Sequence, residues 1–138
     1  MSSSNTNVTV LAGRILMSAI FLFSGIGKIA AFSTMAGFAQ AKGLPLPEAA
    51  IAIAAAIEII GGLFVLVGFQ TRVSAWVLAL YLIPTTLIFH NFWAMQGMER
   101  MDNQGHFLKN FAIIGGLLIL ASYGAGGFSV DASRAPKQ

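Results

Sequence analysis

The sequence predicts an all-α integral membrane protein, a four-helix transmembrane antiparallel bundle, and three observations carry that prediction. Of its 138 residues 57% are hydrophobic and only 9% are charged. A soluble domain carries roughly 25% charged residues, so a chain this poor in charge cannot cover itself with a water-compatible surface and must take lipid as its main solvent. Four long apolar stretches follow one another, each able as a helix to cross a hydrocarbon core of about 30 Å at about 1.5 Å per residue. The segments between them hold Pro45, Pro47 and about half of the charges, and the shortest, Gln70 to Arg72, forces the spans on either side to run antiparallel.

Taken in order, residues 1–7 are rich in Ser and Asn, contain no Lys or Arg, and read as a disordered N-terminal tail. A secretory signal places positive charge ahead of its apolar core. Here the first basic residue, Arg14, already lies inside an apolar segment, so an uncleaved first span is expected from about Val8 to Phe32, with Lys28 near its end. Gly37, Gly43, Pro45 and Pro47 interrupt the helical pattern, and Ser33 to Pro47 reads as the first extramembrane loop. The second span, Ala49 to Phe69, is an almost unbroken apolar run with a single carboxylate, Glu58, near its middle.

The third span, Val73 to about Ala94, has no formal charge. Pro84 removes one backbone hydrogen bond and should kink it, with the Thr85 and Thr86 hydroxyls placed to compensate. Trp76 and Trp93 lie toward its two ends, where interfacial aromatic belts sit. Gln96 to Gly105, with Glu99, Arg100 and Asp102, reads as a polar loop. The fourth span starts near Phe107, carries Lys109 and Asn110 in its first turn, and ends as a helix near Gly124. Residues 8–130 thus form a single membrane domain, and 131–138 a polar C-terminal tail. Four spans put both termini on one side. Arg72, Arg134 and Lys137 on that side outnumber Lys42 and Arg100 on the other, so the positive-inside rule places both termini in the cytoplasm.

Composition also excludes. With no cysteine, disulfides, thiolate metal sites and a dithiol relay within the chain are ruled out. The net charge of +3 comes from scattered residues, and without a basic cluster to track phosphates no nucleic-acid partner is expected. Gly25 to Ile29, GIGKI, lacks the spacing and the Ser or Thr of a P-loop. A two-carboxylate hydrolase would need a second intramembrane acid beside Glu58, and the other acids fall in loops. His106 is read as a loop residue without ligand spacing, so no metal site is expected.

A charge near the bilayer midplane costs on the order of 3 kcal/mol on insertion scales, so Glu58 must face protein or water. Lys28, His90, Lys109 and Asn110 all lie toward the two longer loops and share its leaflet. Glu58, about 11 residues beyond Pro47, is deeper from that same side by roughly 16 Å of helix, and a lysine side chain can span part of the remaining gap. Helical spacing aligns Arg14, Met17, Phe21, Ser24 and Lys28 in the first span, and Ala50, Ala54, Glu58 and Gly62 in the second. Ala79, Ile83, Thr86 and His90 align in the third, and Lys109, Ile113 and Gly116 in the fourth. The expected cluster is Glu58 opposed by Lys28 or Lys109, with His90 and Asn110 near. Bland readings stand beside this one. Glu58 can be a structural ion-pair member, the lysines can snorkel to headgroups, Arg14 can be an interfacial anchor, and the paired glycines 61–62 and 115–116 can be packing features.

Arg14-Ile-Leu-Met, FSGIGK ending at Lys28, EIIGGL from Glu58, GFQTR ending at Arg72, FHNF around His90, Lys109-Asn110, and GGFSVD ending at Asp131 together resemble the DoxX family of small four-span bacterial membrane proteins, its YqjF-type members in particular. The likeness spans Arg14 to Asp131 in order and spacing. It implies residence in the bacterial inner membrane. Some members of the family are labelled quinol-oxidase or thiosulfate:quinone oxidoreductase subunits, and others are linked to oxidative or thiol stress. It settles no catalytic set; Arg14, Lys28, Glu58, His90, Lys109 and Asn110 are the candidates for ligand binding or proton relay. The expectation is a redox-associated subunit with no intrinsic cofactor that binds a quinone-like or other small amphipathic molecule. Its partners would be the lipid bilayer, redox proteins that supply electrons, and a second copy in a homo-oligomer. The alternatives are a non-enzymatic scaffold or assembly partner and, third, a proton-coupled transporter, disfavoured by the lack of an internal repeat.

Overall fold

A computed structural model describes residues 3–135. The elements are α1 (Ser3–Ala30), α2 (Phe32–Ala41), α3 (Pro47–Val67), α4 (Thr71–Phe89), a 3-10 turn at Phe92–Ala94, α5 (Gly97–Tyr123) and α6 (Val130–Arg134). Four helices, α1, α3, α4 and α5, are long and apolar enough to cross a membrane. The fold is the expected transmembrane helix bundle.

Each span ends where the local chemistry requires. Pro47 opens α3 in its first turn, where the missing N–H would have had no helical partner. Gly68 closes α3 in the left-handed region at φ 70°, and the next N–H, from Phe69, donates to Phe64 O at 2.9 Å. That is the glycine-terminated exit of a helix. Pro84 lies within α4 without ending it, and the Thr85 hydroxyl donates to Tyr81 O at 2.9 Å.

Three segments are more ordered than their composition suggests. The polar residues from Ser3 to Asn7, expected as a disordered tail, form the first turns of α1; Met1 and Ser2 lie outside the described residues. Asn7 is engaged, since its Oδ1 accepts the Gly127 N–H at 2.8 Å. The stretch expected as the first loop contains α2, whose Ala36 and Ala39 pack on Ile51 of α3 in a small satellite core. Gly37 sits inside α2 with open space around it, and the helix stops only before Gly43, at φ 78°. The polar segment before Phe107 is the beginning of α5 rather than a loop. An exposed glycine or polar run lowers helix propensity by only about 1 kcal/mol per glycine, which packing or helix continuity overrides.

The spans pack antiparallel in chain order. Along α1, residues 14, 25 and 28 meet residues 68, 55–59 and 58 of the α3 region; along α4, Arg72 and Thr86 meet Ala121 and Asn110 of α5. A Cβ on Gly25 would stand 2.7 Å from Ile59 Cγ1, and one on Gly61 2.9 Å from Leu78 Cγ. The small residues are therefore what let these backbones approach. Of the glycines expected as a second close-approach point, Gly116 faces Met17 while Gly115 meets open space. The main core joins Phe21, Val65, Leu78, Leu82, Leu117 and neighbours. Phe23, Leu16, Ile26 and Ile119 are more than half exposed, as a lipid-facing surface requires.

Candidate functional site

Glu58 is 3% exposed on α3, and its partner is Lys28. The Lys28 ammonium donates to Glu58 Oε1 at 2.9 Å and to Oε2 at 2.8 Å, and its third hydrogen goes to Ser24 Oγ at 2.7 Å. Tyr81 of α4 donates its hydroxyl to Glu58 Oε1 at 2.7 Å. Three helices thus converge on one carboxylate. The arrangement follows from the stripes: Ser24 and Lys28 are one turn apart on α1, and the small residues Ala54 and Ala50 precede Glu58 on the same face of α3. A buried acid with a lysine on both oxygens and a phenol on one is neutralised and saturated with donors, which makes it tolerable inside a bilayer.

The triad lies at the floor of a cavity of about 520 Å³. Its walls are chiefly apolar, including Ile20, Phe21, Met35, Phe38, Ile51 and Ile113, and its other end carries His90, His106 and Lys109. His90 is nine residues beyond Tyr81 along the chain, which places the two ends roughly 13 Å apart. His90 caps α4; its Nδ1–H donates to Asn103 Oδ1 at 3.0 Å, and its ring stacks on that of His106 at 5.1 Å. Lys109 donates to His106 Nδ1 at 2.9 Å, leaving the other ring nitrogen of His106 3.6 Å from Asp102 Oδ2. Asn110 is buried and donates its amide to Thr86 Oγ1 at 3.0 Å. Among the described residues no group of three or more His, Cys, Asp or Glu comes together as a metal site.

The sequence-derived candidates therefore divide. Lys28 and Glu58 meet directly. Lys109 does not oppose Glu58: it and His90 form the far rim of the same cavity, because neighbouring Asn110 is level with Thr86, five residues or about a turn and a half beyond the Tyr81 that meets the carboxylate. Asn110 borders the cavity, tied to Thr86. Arg14 does not join them. It shares the α1 face of Lys28, but 14 residues separate the two, roughly 21 Å of helix.

Arg14 is 2% exposed, so it is not an interfacial anchor either, and it organises the opposite end of the bundle. Its Nη2 donates to Phe128 O at 2.6 Å. Beside it the Asp131 carboxylate accepts the N–H groups of Gln70 and Thr71 at 2.8 and 2.9 Å, capping the start of α4, while the Asp131 N–H donates to Gly68 O. Arg72 in turn donates to the last carbonyls of α5, Ala121 and Ser122. Burial disfavours the charge of Asp131, but the Thr71 and Gln70 amides and nearby Arg14 outweigh it and hold the carboxyl below the usual carboxylate range. The residues expected as a polar tail from Asp131 are thus a clamp on the α3–α4 turn as far as Ala135, and 136–138 lie outside the described residues.

Sequence reasoning missed Tyr81, Ser24 and His106. Ser24 lies on the aligned face of the first span, one turn before Lys28, and its hydroxyl accepts the third ammonium hydrogen. Tyr81 and Thr85 are four apart and turn toward the cavity, whereas Ile83, placed on the inward stripe of the third span, is 41% exposed. His106, expected in a loop, lies within α5.

A bundle of four membrane-crossing helices, closed at one end by a clamp and holding a neutralised acid–base pair beside a chiefly apolar cavity, defines a compact multi-span membrane protein with an intramembrane ion pair. The chain belongs to the DoxX family, whose profile matches residues 9–91, a range that includes Lys28, Glu58, Tyr81 and His90. Over 124 residues it is 33% identical to inner membrane protein YphA of Escherichia coli, covering 90% of this chain and 89% of that protein. Over 128 residues it is 36% identical to inner membrane protein YqjF of the same organism, covering 91% of each. A shorter likeness, 32% over 78 residues, links 56% of the chain to 25% of the ER-derived vesicles protein ERV29 of Saccharomyces cerevisiae. No solved structure matches the chain.

Proposed function

We propose that this DoxX-family chain is an inner-membrane subunit that binds one small amphipathic molecule, of the quinone class or similar in size, in the cavity above Glu58, and works beside a redox partner. The observation that carries the reading is the combination of a chamber of about 520 Å³, within the range of small-molecule sites, with charged groups at its two ends and chiefly apolar walls between them. An acceptor head finds hydrogen-bond donors in the Lys109 ammonium, which gives only one of its hydrogens to His106. The Lys28–Glu58–Tyr81 triad offers exchangeable protons at the floor. The chain has no cysteine, so thiol chemistry and any electrons are the partner's to supply. The inner membrane is where the two long relatives are named to reside, and termini in the cytoplasm follow from the charge bias of the loops.

The test is purification from native membranes in mild detergent, with mass spectrometry of co-purified proteins and extracted small molecules, followed by titration with ubiquinone and menadione analogues. A quinone-type molecule bound at about one per chain, weakened by an Ile113→Trp substitution that fills the cavity, is the expected result. Absence of any bound amphiphile, native or added, would sink the proposal.

A specific observation favours a second reading, that of a scaffold: the donors of Lys28 are all used by Ser24 and Glu58, so the pair needs nothing from a ligand. On that reading Glu58→Gln lowers the yield of folded protein in detergent and leaves ligand binding per folded molecule unchanged.

A further inference from the structure

The two ends of the cavity differ in charge, and that difference selects a ligand. At the floor, Lys28 and Glu58 cancel. At the rim, Lys109 has no carboxylate within salt-bridge distance; among the described residues the ion pairs are Lys28–Glu58 and the His106–Asp102 contact. Its one protein partner is the acceptor nitrogen of His106, which leaves two ammonium hydrogens free. Lys42, close by, spends its ammonium on the neutral Asn91 amide at 3.1 Å and on the face of Phe38, a cavity-wall residue, at 5.7 Å. Among the described residues the acid that meets a rim residue is Asp102, whose side chain is 76% exposed. The rim is therefore net positive, with the two free ammonium hydrogens of Lys109 as its donors, and the chamber beneath it is chiefly apolar.

Resting on the reading of this cavity as an amphiphile site, we infer that its ligand is a single-chain amphiphile with an anionic oxygen head, the head at Lys109 and the histidine pair and the hydrocarbon chain running inward toward Tyr81 and Glu58. A neutral acceptor head would satisfy the donors but leave the lysine charge uncompensated. A cationic head would meet Lys109 and Lys42 as like charges. An anion on Lys109 makes charge-assisted hydrogen bonds, the stronger kind, in a partly dry setting. A wedge of one chain suits the volume, and α1 and α5, which pack through Met17 and Gly116 lower down, make little contact beside the chamber, so that the chain can enter from the lipid. Snorkelling of Lys109 toward lipid headgroups would explain its exposure but not its hydrogen bond to His106 beside the cavity.

The experiment uses the full chain in nanodiscs of zwitterionic phosphatidylcholine, with empty nanodiscs as the partition control. Binding of dodecanoate, dodecyl phosphate, dodecanol and a decyl-tailed quinone is compared by calorimetry and by the carboxyl carbon resonance of labelled dodecanoate. The expected result is that at least one of the two anions binds about tenfold or more tighter than dodecanol. Lys109→Gln should erase that preference at unchanged thermal stability, and Ile113→Trp should remove binding of every chain. Whether carboxylate or phosphate wins identifies a fatty-acid or a phosphorylated source for the same head. Equal binding of dodecanol and the anions, or a preference that survives Lys109→Gln, overturns the inference. Quinone binding without anion binding overturns it while the proposed function stands, and no binding of any amphiphile removes both.

Discussion

Replacing the two members of the intramembrane pair, singly and together, tests the site most directly. Glu58 and Lys28 have side-chain exposures of 4% and 17%, so the pair is shielded from water and only weakly screened. Removing one member leaves a charge without its counterion, at a cost of about 3 kcal/mol or somewhat more. Glu58→Gln strands the ammonium between Ser24 and an amide; Lys28→Met leaves the carboxylate with only the Tyr81 hydroxyl. The double variant Lys28→Met/Glu58→Gln buries no charge at all, so its loss should be no greater than either single loss. The singles then fail to add by about 3 kcal/mol, a coupling expected only of groups in direct contact. Unfolding by sodium dodecyl sulfate from mixed micelles, followed by far-ultraviolet circular dichroism, gives the three free-energy differences. Additivity within about 0.5 kcal/mol would mean that Lys28 lies at the headgroups in the folded protein, and the geometry of the triad would be refuted.

Three further outcomes follow from single contacts. Tyr81→Phe removes a 2.7 Å hydrogen bond to a carboxylate and should cost about 1.5–3 kcal/mol in the same unfolding assay; a neutral result would place the phenol elsewhere. Asn110→Leu leaves the buried Thr86 hydroxyl without its donor, for a loss of about 1–3 kcal/mol that Thr86→Val in the same chain should largely restore. Asp131→Asn should cost about 1 kcal/mol at neutral pH through the start of α4 and Arg14. Because the folded carboxyl titrates below its unfolded value of about 3.9, its stabilisation is complete above that value and lost as pH falls through the lower folded one. The gap between wild type and Asp131→Asn should therefore be constant from neutral pH down to about 5 and close in stronger acid, as read from detergent melts across pH; a gap that widens in acid contradicts the assignment.

The sequence by itself determined the class of protein and the existence of a problem to be solved inside it. Four apolar runs with few charges admit no stable solution but membrane-crossing helices, since backbone groups in lipid must be satisfied within each segment. A lone Glu58 at mid-span then demands a partner, and Lys28 was legible because α1 and α3 are antiparallel neighbours whose aligned faces bring the two to one level. Side chains whose role depends on a rotation or a boundary were not legible. Tyr81 needed the true inward face of α4, which a proline-containing, uniformly apolar span does not declare through periodicity, as the lipid-facing Ile83 shows. His106 needed α5 to begin ten residues early, a boundary that weak polar propensity cannot set. Arg14 and Asp131 are 117 positions apart, and only the closing of the chain's two ends against the α3–α4 turn turned an expected anchor and an expected tail into one clamp. What the tertiary structure alone decided is the cavity. Its charge-neutral floor and positive rim arise from five segments meeting in space, and no local pattern in any one of them encodes that meeting.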